Sequence, residues 1–98
     1  MPAFMISAIQ IHDREMYSRY AVEARRALEP YNIRSLSADP LPIVYEGIQP
    51  ANHMMIAQFE TVEAMSDFYN SEAYRKASEI RRAASTARFL MGMKALES

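Results

Sequence analysis

Cysteine is absent from this sequence, and glycine occurs only twice, as Gly47 and Gly92. A chain without thiols forms no disulfide, offers no thiolate nucleophile and holds no thiolate-bound zinc or iron–sulfur cluster, a composition that suits a reducing cytoplasm. Two isolated glycines cannot build a phosphate-cradling loop, and no G-x-S-x-G elbow occurs. Histidine is scarce too: His12 and His53 stand in neither an H-x-H nor an H-E-x-x-H spacing, so no metal and no cofactor is implied. No stretch reaches the roughly 18 apolar residues of a membrane span. The apolar start also lacks a basic lead-in before His12-Asp13-Arg14-Glu15, so residues 3–11 read as a strand rather than a signal.

What is present is an ordinary globular balance. Of 98 residues, 50% are hydrophobic and 23% charged, with a net charge of -1. That length makes a single domain, residues 1–98, able to hide roughly 65% of its extended surface. The overall charge recruits neither nucleic acid nor an anionic membrane. Charge is nonetheless segregated. Residues 35–74 carry six acids and no Lys or Arg, whereas residues 75–94 carry six bases and one acid, Glu79. A solvated helix face explains the basic block better than nucleic-acid binding does.

Residues 3–11 (AFMISAIQI) are apolar at both parities, the pattern of a strand covered on both faces. Asp13 is a good N-cap with Glu15 in the first turn, and the inner stripe of the helix runs through Met16/Tyr17, Tyr20/Ala21, Ala24 and Ala27/Leu28. Arg14, Ser18, Glu23 and Arg25 are expected elsewhere on that helix. Pro30 ends it. A short strand follows at 33–37, then prolines at 40 and 42, an extended run at 43–46 and a turn through Gly47, Pro50 and Asn52. Residues 53–59 form a further strand with apolar side chains on both faces. Thr61 caps the next helix, Asn70-Ser71 interrupts it, and Ser71 caps another whose apolar stripe is Ala73, Ala77, Ile80 and Ala84, with Tyr74 and Arg81 beside it. Residues 87–96 (ARFLMGMKAL) are the last strand.

Strand, helix, strand, strand, helix, strand is the βαββαβ order of an α+β, ferredoxin-like fold: a four-stranded antiparallel sheet with helices on one face. The first and third strands are expected to run parallel, which places His12 and His53 at opposite ends of the sheet. Helices cover one face, yet three strands are apolar on both, and an exposed apolar area of several hundred Å² is abnormal for a monomer. A homodimer packed sheet face to sheet face is the expectation.

The opening strand into Asp13, Tyr17 and Tyr20, Glu46-Gly47, Phe59-Glu60-Thr61, Phe68-Tyr69-Asn70-Ser71, Tyr74, and Arg81 followed by Ala83-Ala84 form an ordered set covering nearly the whole chain. In this the sequence resembles the bacterial domain-of-unknown-function 1330 family. The resemblance implies a dimeric α+β barrel. The wider superfamily it points to includes cofactor-independent monooxygenases, small isomerases, haem-degrading enzymes and binding proteins, so the fold alone selects no activity. The sequence departs from the family where glycine pairs are usual, carrying Tyr31-Asn32-Ile33 and Asp39-Pro40 instead.

Arg81 is the leading candidate for chemistry. At the border of an apolar stripe, a guanidinium can hold a carboxylate or an enolate between helix and sheet; the competing reading is an internal salt bridge to Glu46 or Asp67. A tyrosine or His53 is the candidate proton carrier, with a His53–Glu46 acid–base pair weighed against a purely structural pairing. Tyr17, Tyr20, Phe59, Tyr69 and Arg81 are the expected ligand-binding residues, with Tyr74 and methionines such as Met54, Met55, Met91 and Met93 able to line an apolar pocket. Core packing and the dimer interface compete for the same side chains. The functional expectation is therefore a cytoplasmic homodimer that binds a small apolar or aromatic molecule, with cofactor-independent monooxygenase- or isomerase-like chemistry. The alternatives are a non-catalytic dimeric binding or interaction module and a haem-handling enzyme.

Overall fold

A computed structural model describes residues 1–97. In chain order the elements are β1 (Ala3–Ile11), α1 (Arg14–Leu28), β2 (Arg34–Asp39), β3 (Met54–Phe59), α2 (Val62–Asn70), α3 (Glu72–Ala84) and β4 (Ser85–Lys94). The strands form one sheet in the order β2-β3-β1-β4, every neighbouring pair antiparallel. This is the ferredoxin-like arrangement, with the long apolar β1 and the apolar β3 at the centre and the polar β2 at an edge.

Local chemistry sets the helix boundaries. The Asp13 side chain accepts from the Met16 N–H and Thr61 from the Ala64 N–H, each satisfying an otherwise orphaned donor. Ser71 joins two helices: its hydroxyl donates to the Phe68 carbonyl at 2.7 Å and accepts from the Tyr74 N–H at 3.2 Å. It thus ends α2 and starts α3 with a single side chain. Ser71→Ala should cost about 1 kcal/mol, a fall of roughly 4–8 °C in Tm for a domain of this size. An unchanged thermal midpoint would mean that packing alone holds the joint.

The expectation of parallel first and third strands is wrong. The helical crossover returns the chain in the direction of β1, and the connection from β2 to β3 reverses it, so β3 opposes β1, with Ala3 beside Phe59 and Ala8 beside Met54. His12 and His53 therefore lie at the same end of the sheet. There the His53 carbonyl accepts from the Ile9 N–H, and Asn52 bonds both the N–H and the carbonyl of Ile11. His12 Nε2 is hydrogen-bonded to the Thr86 hydroxyl at 2.9 Å. Among the described residues, no three His, Cys, Asp or Glu side chains gather as a metal-ligand set.

Two other expectations shift. Residues 43–46 form no strand; they belong to a loop over residues 40–53, where Pro40, Pro42 and Pro50 withhold backbone donors and Gly47 turns at a φ of 101°. The last strand begins at Ser85, directly after α3, rather than at residue 87.

In β1 the odd-numbered side chains face the helices and the even-numbered ones face away, and the paired strands follow the same alternation. The inner core joins Ala3, Phe59, Met65, Phe68, Tyr74 and Ala77, with Phe68 at its centre, 5.5 Å from the Phe59 ring and 4.6 Å from the Tyr74 ring. Gly92 lies under Met65 of α2, where a Cβ would collide with the methionine side chain. The outer sheet face carries Phe4, Ile6, Met54, Ile56, Phe89, Met91 and Met93, with Met91 and Met93 more than half exposed. The loop adds Leu41, Ile43, Tyr45 and Ile48, all strongly exposed. No helix among the described residues is long and apolar enough to cross a membrane.

Candidate functional site

Helix α1 packs chiefly on α3 and stands off from the sheet. Beneath it lies a cavity of about 620 Å³, large enough for a small organic ligand. Its floor is apolar sheet: Met5 and Ile9 of β1, Met55, Ala57 and Phe59 of β3, and Leu90 of β4. Its roof is α1, through Tyr17, Tyr20, Ala21, Ala24 and Leu28, and α3 closes one wall with Tyr74 and Arg81. The exposed side chains of Arg14, Ser18 and Arg25 also line it, at the mouth.

Of the alanine–isoleucine stripe expected for α3, Ala77 and Ala84 are buried, whereas Ala73 is exposed and Ile80 is only partly buried; the buried stripe is Tyr74, Ala77, Ser78, Arg81 and Ala84. Spacings of three, four and seven residues put all of these on one face, and Arg81 sits in its middle instead of at its border. Only 5% of Arg81 is exposed. The internal salt bridge weighed for it is not formed. The ion pairs among the described residues are Arg26–Glu23 and Lys76–Glu72, and Glu46 and Asp67 are exposed and unpaired with Arg81. Its buried Nε has no hydrogen-bond partner.

Aromatic groups surround this cation. The Tyr20 and Tyr74 hydroxyls share a hydrogen bond of 2.8 Å, the Tyr17 ring lies 5.0 Å from Tyr20, and the His53 ring lies 5.6 Å from Tyr17. A chain of rings thus runs from His53 through Tyr17 and Tyr20 to Tyr74, beside Arg81. Burial, reinforced by Tyr74 and only partly opposed by Arg81, pushes the Tyr17 phenol up to about 12. Burial and the Tyr74 contact raise Tyr20 further. Burial first, then the nearby Arg14 charge, lowers the His53 pKa. Burial would lower the Arg81 pKa as well, but Tyr74, Tyr20 and Tyr69 facing it more than offset that, so the guanidinium stays charged. At neutral pH the inner wall of the cavity therefore offers a neutral imidazole, the protonated phenols of Tyr17 and Tyr20, and one buried cation without a carboxylate partner.

Of the side chains expected to bind a ligand, Tyr17, Tyr20, Phe59 and Arg81 line this cavity, together with His53. Tyr69 does not. It borders a smaller pocket of about 190 Å³ between α2 and β4, although its ring lies 5.6 Å from Tyr74. Glu46 forms no bond to His53. Arg14, Ser18 and Arg25, placed in sequence off the inner stripe of α1, line the mouth. With Ala21 they recur at intervals of four, three and four, so helical spacing carried the signal, but their polarity hid it.

A sequence profile for a domain of unknown function (DUF1330) matches residues 2–93. The chain belongs to the DUF1330 family. No curated protein matches the sequence. Among solved structures, the DUF1330 chain is similar to a protein of unknown function from Rhodopseudomonas palustris, with a TM-score of 0.80 and 20% identity over 99% of this chain and 84% of the other. It is also similar to SnoaB, a cofactor-independent oxygenase from Streptomyces nogalater, with a TM-score of 0.62 and 13% identity over 99% and 95% of the two chains. A third likeness is to a dimeric ferredoxin-like protein of unknown function from Jannaschia sp., with a TM-score of 0.66 and 9% identity over 97% and 100%. At these identities the likenesses establish the fold.

The lowered His53 pKa gives the DUF1330 protein a pH signature. A histidine that protonates more readily unfolded than folded contributes no penalty above its unfolded pKa of about 6.5; stability falls as pH drops from there toward the lower folded value and levels off below it. The Tm should therefore decline from about pH 7.5 to about pH 5 more steeply for the wild type than for His53→Gln. Parallel profiles for the two proteins would show that His53 is not shielded from protonation.

Proposed function

We propose that this DUF1330 protein is a homodimer whose subunits each take a small apolar or aromatic molecule into the cavity beneath α1, and that it performs cofactor-independent chemistry there of the oxygenase or isomerase kind. The observation that carries the reading is the cavity itself: about 620 Å³, floored by apolar strands, with the polar groups gathered along α1, α3 and His53. That is the composition of a site that holds a ligand by burial and orients it by a few polar contacts. The dimer is supported by the apolar outer face, by the exposed apolar side chains of the loop at 40–53, and by the fold's likeness to a dimeric protein.

The chemistry follows from the charge states. Neutral His53 is free to remove a proton from an enolisable carbon or a phenol, and the uncompensated Arg81 stabilises the resulting oxyanion in a water-poor site. Protonated Tyr17 lies between them, able to donate to a developing oxyanion. An enolate of this kind is the shared first intermediate of isomerisation and of direct reaction with dioxygen, and the likeness to a cofactor-independent oxygenase is in keeping with it.

Binding is tested with a neutral fluorescent probe, N-phenyl-1-naphthylamine, which should brighten with one site per subunit and fail to do so in Ala24→Trp, where an indole fills the cavity. No brightening with the wild type, or equal brightening with both, would overturn the binding site. Chemistry is tested by proton–deuteron exchange at the enolisable carbon of 2-tetralone. The wild type should accelerate exchange and His53→Gln should not. Probe binding without any acceleration would leave a binding module rather than an enzyme.

A further inference from the structure

We infer that the ligand of the cavity beneath α1 is a small apolar monoanion, an aromatic or alicyclic acid whose anionic oxygens sit against Arg81 while its ring lies on the methionine floor. This rests on the cavity reading above and adds the ligand's charge and orientation to it.

Two independent observations lead there. The first is the state of Arg81. A guanidinium only 5% exposed, facing phenols but without a carboxylate partner and with an unsatisfied Nε, is a buried positive charge that no negative charge among the described residues balances. The surrounding phenols do not neutralise it, because burial keeps Tyr17 and Tyr20 protonated. Arg81 lines the cavity, and a planar guanidinium matches the two oxygens of a carboxylate or of a planar acidic enol.

The second is the cavity's charge balance. Arg14, Arg25 and Arg81 line it, and no aspartate or glutamate does, in a chain whose net charge is -1. Acids are more numerous than bases overall, so their exclusion from this one surface is selective. Arg14 and Arg25 at the mouth draw anions inward, and Arg81 at the inner wall receives them. The apolar floor of Met5, Met55 and Leu90 and the apolar face of α1 disfavour a polyanion such as a nucleotide, whose remaining charges would be stranded there. One charge and one ring fit this surface.

The test uses a matched pair, 1-naphthoate and 1-naphthamide, which differ in charge and scarcely in shape. Calorimetric titration of the wild-type protein at neutral pH should show the carboxylate binding roughly tenfold or more tighter than the amide. Arg81→Met should bring the two affinities together by weakening naphthoate and leaving naphthamide nearly unchanged. Equal affinities in the wild type, or a carboxylate preference that survives in Arg81→Met, would overturn the anion assignment while leaving the cavity as a site for neutral molecules. If neither compound binds, the anion assignment and the small-molecule site fall together. Should Arg81→Met not fold, the carboxylate-to-amide ratio in the wild type decides by itself.

Discussion

Ile56→Glu should convert the proposed homodimer to a monomer at micromolar concentration. Ile56 lies at the middle of the outer sheet face, opposite Ile6 in the pairing of β3 with β1, with Met91 on the next strand of the same row. Around it Phe4, Met54, Phe89 and Met93 complete an apolar surface that no helix of the same chain covers. If two such faces pack together about a twofold axis, each substitution enters the interface twice. A carboxylate buried there without a partner costs several kcal/mol, so the dissociation constant should rise by roughly three orders of magnitude or more. The monomer itself is little affected, because Ile56 is only half-buried within one subunit. Sedimentation velocity distinguishes the states, with Ile56→Val as a control that keeps the dimer. A wild-type protein that sediments as a monomer, or an Ile56→Glu protein that stays dimeric, would rule out the sheet-to-sheet assembly.

Arg81→Met should make the unliganded protein more stable. Most substitutions of buried groups destabilise, so the sign is diagnostic. Methionine fills nearly the same volume without the charge, and its flexible thioether accommodates the aromatic surroundings. Replacing a well-paired buried ion by apolar groups is often neutral or favourable, and here the ion has no carboxylate partner. The Tyr20–Tyr74 hydrogen bond at 2.8 Å is made between the two phenols themselves. A gain of about 1–2 kcal/mol is expected, on the order of 5–10 °C in Tm. A site kept ready for an anion at the expense of stability is the trade that functional sites commonly show. A marked loss of stability in Arg81→Met would instead identify Arg81 as a structural element held by the phenols, and the enolate chemistry would lose its cation.

Much of the fold was legible because it is written in short-range patterns. The caps at Asp13, Thr61 and Ser71 and the helix stop before Pro30 concern residues within a turn of one another, and each is where the sequence placed it. The two-sided apolar pattern marked β1, β3 and β4 alike, and since β4 lies at an edge it did not distinguish central from edge strands. Strand direction was misjudged because no residue of β1 states which way its neighbour runs; only following the crossover and the turn in order gives it. The run at 43–46 misled for a related reason. Ile43, Val44 and Tyr45 have strand propensity, but propensity forms a strand only where a neighbouring edge can accept it.

The candidate site was legible as a set of residue types and not as a place. Tyr17, Tyr20, Phe59, His53 and Arg81 were identifiable as polar or aromatic groups on apolar faces, whereas Arg14 and Arg25 were not, since exposed arginines on a helix are commonplace. Tyr69 joined the set by periodicity, but in three dimensions it borders the smaller pocket beside β4 and reaches the cavity group only through its ring contact with Tyr74. By itself the sequence determined the order of elements, their caps, the surplus of apolar sheet and the want of thiols and glycine-rich loops. Only the tertiary structure decided that α1 rests on α3 and leaves a gap above the sheet, and that Arg81 faces phenols instead of a carboxylate. Periodicity fixes where a side chain points relative to its own helix or strand. What it meets there depends on how distant segments dock, which no local pattern records.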